Sequence, residues 1–168
     1  MIGDALRYTV RRCSLGWVSV ARSGAGLRAV ALGDDPEALL RDVRSRFPGA
    51  EPVTEDDLIA AAVRLVESPG LDADLPLDIE GTEFERRVWQ ALREIPSGTT
   101  AAYSAIAARI GAPDARDVAA ACAANPLAVV IPCHRVIRKG GGIGGYRWGV
   151  RRKRVLLARE AAARRQSA

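Results

Sequence analysis

Three runs of alternating apolar and polar residues near the N-terminus constrain the fold of this chain more than any other feature. Leu6, Tyr8 and Val10 alternate with polar residues, and two further strand-like runs, residues 17–20 and 27–32, flank the turn-forming tetrapeptide Ser-Gly-Ala-Gly. Alternation with a period of two places the apolar side chains on one face of a β-strand. Because connections this short join antiparallel neighbours, we predict an antiparallel meander in this region.

Helical spacing of apolar residues replaces this alternation after residue 34. One helix is predicted to begin with Pro36, a residue favoured in the first turn, and a second is predicted to be capped by Thr54. Thr82 and Glu85 form the capping-box pattern that starts a third helix. Residues 71–81 are predicted to be a linker that contains a short strand. The chain is therefore assigned to the α/β (α+β) class.

The charge is divided unequally along the chain, whose net charge is +5. Residues 1–80 carry 9 basic and 14 acidic side chains, whereas residues 81–168 carry 16 basic and 6 acidic ones. We predict one subdomain over residues 1–80 and a second over residues 81–168, in which the excess of positive charge favours binding to a polyanion. A basic surface without a ligand is the alternative interpretation.

Length, cysteine content and hydropathy exclude several classes of protein. No apolar run approaches the ~20 residues that cross a bilayer, and no signal-peptide pattern is present, so we expect a cytoplasmic protein without a membrane partner. The three cysteines form no Cys-x-x-Cys pair and the chain has a single histidine. This donor set argues against a structural zinc site, and we expect neither a metal nor another cofactor.

Two short helices around a tight turn, residues 103–110 and 116–124, form a helix-turn-helix pattern. The second helix is almost all alanine after Asp117, with Ala119 near its centre, so it cannot read base edges in a major groove. Without long side chains it is slimmer than the ordinary ~10–12 Å and suits the ~6 Å minor groove. A tightly packed core helix explains the same residues, because alanine is the best helix former. Both interpretations stay open.

Three arginines in this half are candidates for contact with DNA. Arg116 stands alone at the start of the alanine-rich helix, where it is either a wedge that fills the space of an extruded base or a clamp on a phosphate. Arg135 and Arg151 are further candidates for contact with the DNA backbone.

The heptapeptide Ile-Pro-Cys-His-Arg-Val-Ile places the only histidine, His134, directly after Cys133. Taken alone, Cys133 is either a small buried apolar residue or a nucleophile with its proton acceptor close by. Only a thiolate is a competent nucleophile, and a free cysteine, with a pKa of ~8.5, is a few per cent ionised at pH 7.

Residues 95–160, which contain the Pro-Cys-His-Arg and Gly-Tyr-Arg-Trp-Gly segments, resemble the catalytic domain of methylated-DNA–protein-cysteine methyltransferases, the 6-O-alkylguanine-DNA alkyltransferases. The similarity is greatest to the C-terminal modules of bacterial Ada-type proteins, and it covers nearly the whole chain. It implies a ribonuclease-H-like N-terminal subdomain followed by a winged-helix-like helix-turn-helix catalytic subdomain.

The resemblance also implies roles for individual residues. Cys133 matches the alkyl acceptor, His134 the base that takes its proton through a water, and Glu160 the carboxylate that orients the histidine and so helps to raise the thiolate fraction. Asn125 matches a hinge ahead of the active-site strand. Tyr103 matches the residue that binds the flipped guanine, and Arg116 matches the finger that replaces the extruded base in the stack. The implied pocket residues, which shape the site and provide backbone donors to the guanine oxygen, are Val136, Tyr146 and Arg147.

The implied activity is the irreversible, stoichiometric transfer of a methyl or alkyl group from the 6-oxygen of guanine to Cys133 by a monomer bound to double-stranded DNA. The 4-oxygen of thymine is a second expected target. Two alternatives are a sensor that binds lesions without reacting and a hydrolase that uses Cys133 and His134. Counting forward from Gly111 would place Asp117 at the position of the finger, but counting back along the helix from Asn125 places Arg116 there, and we follow the second count because an uninterrupted helix fixes its facing. Asp114 and Asp117, two acids beside the DNA phosphates, are expected to weaken DNA binding. Ala102 leaves the Tyr103 helix without a capping side chain.

Overall fold

The computed structural model describes residues 5–68 and 74–167. It is a mixed α and β structure, which confirms the predicted class at this level. The contacts divide the described residues into two compact units, which consist of residues 5–68, 74–80 and 126–130, and of residues 81–125 and 131–167. None of the described helices is both long enough and apolar enough to pass through a membrane.

A four-stranded sheet forms the centre of the first unit. Its strands are β1 (Arg7–Cys13), β2 (Gly16–Arg22), β3 (Leu27–Gly33) and β4 (Glu51–Pro52), in the order β3-β2-β1-β4. The first three pair as an antiparallel meander, which confirms the prediction, and β4 lies parallel to β1. The turn between β2 and β3 is closed by a hydrogen bond from Ser23 N to Gly26 O.

Two helices pack on this sheet. Helix α1 (Pro36–Arg46) begins where it was predicted, with Asp35 as its N-cap. Helix α2 (Asp57–Glu67) begins later than predicted, and its cap is Asp56, not Thr54. The Asp56 carboxylate accepts a hydrogen bond from Ile59 N at 3.0 Å and pairs with Arg22 at 3.1 Å, so it both closes the helix end and ties it to β2.

The register of the strands places Tyr8, Ala21 and Ala29 in one row across one face of the sheet. These residues are buried with Val43 and Phe47 of α1 and the segment that follows it. Burial of this apolar row, at ~25 cal/mol for each Å² removed from water, holds α1 on the sheet.

The free edge of β3 is covered by two separate chain segments. Leu27 pairs with Leu77, and Val30 with Leu127, both as parallel bridges. Gly26 is required there, because a Cβ atom at this position would lie 2.6 Å from the backbone of Pro76. The predicted strand at 75–79 is thus a single bridge, and residues 69–73 of the predicted linker lie outside the described residues. Residues 126–130, predicted to belong to the second subdomain, cluster with the first unit because of the Val30 hydrogen bonds.

The second unit is mainly helical. Its elements are α3 (Glu83–Arg93), β5 (Ala101–Ala102), α4 (Tyr103–Ile110), α5 (Ala115–Ala123), a single 3₁₀ turn (Cys133–Arg135), β6 (Val136–Ile137) and α6 (Val150–Ser167). Helices α3, α4 and α5 contact one another, and β5 pairs with β6 in parallel. The predicted capping box of α3 is confirmed: Thr82 Oγ1 accepts from Glu85 N, and Thr82 N donates to the Glu85 carboxylate.

The connection between α4 and α5 is short and capped at both ends. Gly111 ends α4 in the left-handed conformation, with φ of 73°, which a residue without a Cβ adopts at little cost. Asp114 caps α5 by accepting a hydrogen bond from Arg116 N at 2.8 Å. Ala102 provides no side-chain cap for α4, as predicted.

Candidate functional site

A pocket of about 330 Å³ lies in the second unit, and five of the predicted site residues line it: Tyr103, Ala119, Cys133, Tyr146 and Arg147. It is lined by Tyr103, Ala119, Cys122, Ala123, Cys133, Gly145, Tyr146 and Arg147. Four separate segments contribute to it: the start of α4, one face of α5, the 3₁₀ turn and the loop before α6. The pocket therefore depends on tertiary packing and not on any one local motif.

Cys133 lies at the inner wall of the pocket with 4% of its surface exposed. The fully buried side chain of Asn125 reaches it: Nδ2 lies 3.2 Å from the Cys133 sulfur and 2.9 Å from the carbonyl oxygen of Ile131. One amide therefore holds both the thiol and the backbone that precedes it.

Burial raises the pKa of Cys133 to about 11, although the hydrogen bond from Asn125 and the charges of Lys153 and Arg147 act in the opposite direction. The thiol is thus protonated at neutral pH in the free protein. The expectation that the neighbouring imidazole raises the resting thiolate fraction is not met, because the cost of desolvating the anion is larger than the local stabilisation.

His134 and Glu160 form a buried pair in which His134 Nε2 lies 2.5 Å from Glu160 Oε1. Burial lowers the pKa of His134 below its ordinary value of 6.5, even though Glu160 favours the protonated form. Burial raises the pKa of Glu160, but hydrogen bonds from His134 and Arg135 outweigh this and hold it below 4.5. The imidazole is therefore neutral, and with Nε2–H directed at the carboxylate, its Nδ1 carries the free lone pair.

Arg135 is buried, and its guanidinium faces Glu160. Its Nε donates to Glu160 Oε2 at 2.8 Å, and its Nη1 donates to the carbonyl oxygen of Ile95 at the same distance. The predicted contact of Arg135 with DNA does not fit this position, because its buried guanidinium is already bonded to Glu160. A buried carboxylate such as that of Glu160 requires a paired cation. Ser97, which the sequence analysis missed, also donates to Glu160 at 2.9 Å.

Lys153 is, like Ser97, a candidate functional residue that was not predicted. In the sequence it is one of four consecutive basic residues, 151–154. Its side chain is fully buried, and Nζ donates to the carbonyl oxygens of Val136 at 2.6 Å and Gly145 at 3.1 Å. Nζ also lies 6.0 Å from the centre of the Tyr103 ring. Burial lowers its pKa, and the two pocket thiols oppose this. The sequence contained one signal that Lys153 is buried: its spacing from Leu156 and Glu160 places the three side chains on one face of α6.

The two tyrosines of the pocket are both held in their protonated form. Burial raises the pKa of Tyr103 to about 12 and that of Tyr146 well above 10. The Tyr146 ring packs edge-on against Trp148, with centroids 5.3 Å apart, and against His134, at 6.4 Å. Each hydroxyl is thus available as a hydrogen-bond donor.

Of the two remaining predicted pocket residues, Arg147 lines the pocket and Val136 does not. Arg147 donates from Nη1 to the backbone oxygen of Asn125 at 2.7 Å, and its guanidinium lies over the Trp148 ring at 5.3 Å. Val136 is fully buried in β6 and is not among the residues that line the pocket, although its carbonyl accepts from Lys153. Cys122 lines the pocket, but burial raises its pKa to about 12.

Helix α5 presents two different faces. Val118, Ala121 and Cys122 are buried, whereas Arg116, Asp117, Ala120, Ala123 and Ala124 are exposed. Arg116, with 92% of its side chain exposed, lies against Asp114, and its Nη2 is 2.8 Å from the carboxylate. Arg151 is also exposed. The exposed face of α5 therefore carries no side chain longer than a methyl group beyond Asp117.

Comparison with known proteins shows similarity over most of the chain. Residues 83–162 match the family model described as the DNA-binding domain of 6-O-methylguanine DNA methyltransferase. An inducible methylated-DNA–protein-cysteine methyltransferase of Bacillus subtilis is 40% identical over 150 residues, which are 86% of this chain and 84% of the relative. The chain belongs to the methylated-DNA–protein-cysteine methyltransferase family.

Two further relatives of this family of methyltransferases extend the match. The bifunctional transcriptional activator/DNA repair enzyme Ada of Escherichia coli is 49% identical over 162 residues, which are 94% of this chain and 46% of Ada. The chain thus spans about half the length of this curated relative. A crystal structure of Mycobacterium tuberculosis OGT in complex with DNA superposes with a TM-score of 0.78 at 34% identity, covering 93% of each chain.

Proposed function

We propose that this protein repairs DNA by transferring an alkyl group irreversibly from the 6-oxygen of guanine to Cys133, with the 4-oxygen of thymine as a second target. The observation that carries the proposal is the buried Cys133 thiol, which lines a pocket beside the slim exposed face of α5 and precedes a buried histidine–carboxylate pair. Relatives over most of the chain are named as enzymes that transfer methyl groups from DNA to a cysteine.

DNA would bind along α5. Its exposed alanines, with Ala119 at the pocket, suit the narrow minor groove, and Arg116 at its N-terminus would fill the space of an extruded base. Exposed Arg151 would contact the backbone. In this proposal α4 and α5 form a winged-helix-like helix-turn-helix, the first unit is ribonuclease-H-like, and the protein acts as a monomer in the cytoplasm.

The reaction is an in-line displacement at the alkyl carbon. The sulfur of Cys133 forms the new S–C bond, the C–O bond to the 6-oxygen of guanine breaks, and the electron pair stays on the purine. The thiol proton passes to neutral His134, and Glu160 stabilises the resulting imidazolium. Because the free thiol has a pKa of about 11, the proton leaves only as the substrate is bound.

Charge that develops on the departing purine needs donors. Tyr103 lines the pocket as a protonated phenol, and buried Lys153 supplies a positive charge behind its ring. Preorganised donors of this kind lower the barrier more in a desolvated site than they would in water. The thioether product has no activated leaving group, so each molecule reacts once.

The decisive experiment is an intact-mass measurement after incubation with duplex DNA that contains 6-O-methylguanine. We expect a gain of one methyl group, located on the peptide with Cys133, and an equal loss of the lesion. The Cys133→Ser variant should gain none, while a matched Cys122→Ser variant should still react. Lesion binding with unchanged mass would support the sensor instead, and more product than protein would support a hydrolase.

A further inference from the structure

We propose that Ser97 is a positioning residue of the alkyl transfer, because its hydroxyl binds one oxygen of Glu160 and so limits how strongly that carboxylate favours a protonated His134. The effect of Ser97 is to keep the imidazole neutral, and thus able to accept a proton, in more acid solution than Glu160 alone would allow. This inference rests on the proposed alkyl transfer to Cys133. Ser97 acts from behind the site, since it is not among the residues that line the pocket.

The buried Glu160 carboxylate accepts hydrogen bonds at both of its oxygens. His134 Nε2 lies 2.5 Å from Oε1, whereas Ser97 Oγ lies 2.9 Å from Oε2. Arg135 Nε donates to both oxygens, at 3.1 Å and 2.8 Å. Because an ionised carboxylate only accepts hydrogen bonds, the Ser97 hydroxyl is the donor. Each such donor stabilises the negative charge of the carboxylate and leaves it a weaker partner for an imidazolium.

A tight turn between α3 and β5 holds Ser97 at this oxygen. Thr99 N donates to the carbonyl oxygen of Pro96 at 3.1 Å, and Gly98 has a φ of 85°, as the third residue of a type II turn requires. A Cβ atom on Gly98 would lie 2.7 Å from Cδ of Arg164, which follows the carboxylate by one turn of α6. The turn therefore packs directly on the helix that carries the carboxylate, and this contact fixes the direction of the hydroxyl.

The charged and titratable groups around His134 come from the 3₁₀ turn, the loop before α6 and α6 itself: Cys133, Arg135, Tyr146, Lys153 and Glu160. Burial, the largest cause, lowers the pKa of His134, and Glu160 is the group that raises it. The positive charges of Arg135 and Lys153 act with burial. The thiol and the phenol are both neutral, because burial raises their pKa. The strength of Glu160 as an acceptor is thus the one opposing influence, and Ser97 reduces it.

The single histidine of the chain gives one imidazole signal to follow by NMR. In the Ser97→Ala variant Glu160 loses a donor and becomes a stronger acceptor. At pH 7.5 we therefore expect the Nε2–H proton of His134 to move downfield, while the Ser97→Thr variant, which keeps a hydroxyl, should resemble the parent. Thr99→Ala is the matched control, because it removes a hydroxyl of the same turn that donates to Pro96 and not to the carboxylate.

The expected consequence for the reaction is a change in its pH profile. With saturating duplex DNA that contains 6-O-methylguanine, the single-turnover rate of Ser97→Ala should begin to fall at a higher pH than that of the parent, because His134 becomes protonated earlier. At the pH where the parent has lost half of its rate, the variant should be about threefold slower, whereas at pH 8 the two rates should be equal. Ser97→Thr and Thr99→Ala should follow the parent profile.

Two results would overturn the role of Ser97 while leaving the proposed function intact. One is a Nε2–H signal of Ser97→Ala at the parent position. The other is a rate that keeps the parent profile or is lowered by the same factor at every pH, which indicates a purely structural effect. The NMR signal is read in the free protein and needs no reaction. A parent protein that gains no methyl group from the lesion would instead overturn the proposed function.

Discussion

At Cys133, burial and hydrogen bonding act on one thiol in opposite directions. The wall of the pocket removes water from the sulfur, while Asn125 and the charge of Lys153 favour the anion, and burial has the larger effect. A protected thiol of this kind avoids reaction with unrelated electrophiles. In the proposed reaction, activation of the thiol is therefore coupled to substrate binding, which brings the alkyl carbon and its leaving group to a sulfur whose proton acceptor, His134, is already in place.

This balance predicts how the free protein reacts with iodoacetamide. The alkylation rate at Cys133, measured by mass spectrometry of its peptide, should rise with pH up to about 10 without a plateau, because the thiolate reacts and the pKa is about 11. The Asn125→Ala variant should react more slowly at each pH, since it loses the hydrogen bond to sulfur. A plateau below pH 8 in the parent would show that the resting thiol is already ionised.

At the scale of elements, α5 combines a buried face with an exposed face made of methyl groups. The helix is stable without long side chains because Asp114 caps it and Val118 and Cys122 are buried. The structure confirms the packed-helix interpretation for the buried face. Docking of the exposed face in the minor groove stays a prediction. The same helix lines the pocket through Ala119.

The slim face predicts a steric effect on DNA binding. The Ala119→Leu variant should bind unmodified duplex DNA at least about tenfold more weakly than the parent, because a leucine side chain widens the helix beyond what the minor groove admits. The control is Ala108→Leu, the same change on the exposed surface of α4, which should leave affinity within about twofold. Equal affinities of both variants in a fluorescence-anisotropy titration would exclude minor-groove docking along this face.

At the scale of the whole molecule, stability in mild acid depends on the one histidine of the chain. The folded pKa of His134 lies below its ordinary value of 6.5 because of burial, so the unfolded chain binds a proton that the folded protein does not. The stability that this group contributes is fully present above pH 6.5 and is lost as the pH falls towards the folded pKa.

The free energy of unfolding, measured with urea, should therefore decrease as the pH falls from 7.5 to 5.5, by at most about 1.4 kcal/mol per pH unit. The His134→Asn variant is less stable at pH 7.5, but its stability should change much less over the same interval. Equal pH slopes in the two proteins would contradict a neutral buried His134.

The strands and helix starts could be predicted from the sequence because each depends on residues that are close together in the chain. The alternation of residues 6–32, Pro36 and the capping box of Thr82 and Glu85 each act within a few residues, and the structure confirms them. Thr54 failed as a cap because Asp56 also gains an ion pair with Arg22, 34 residues away in the chain. Such a tertiary contact overrides local preference.

The sequence by itself determined the meander, most helix boundaries and the adjacency of Cys133 and His134 in the chain. Only the tertiary structure decided that Arg135 and Lys153 are buried in the site and that the Cys133 thiol rests protonated. The physical reason is desolvation: whether a charge faces water or the interior depends on segments far away in the chain, such as Ile95 for Arg135 and Val136 for Lys153.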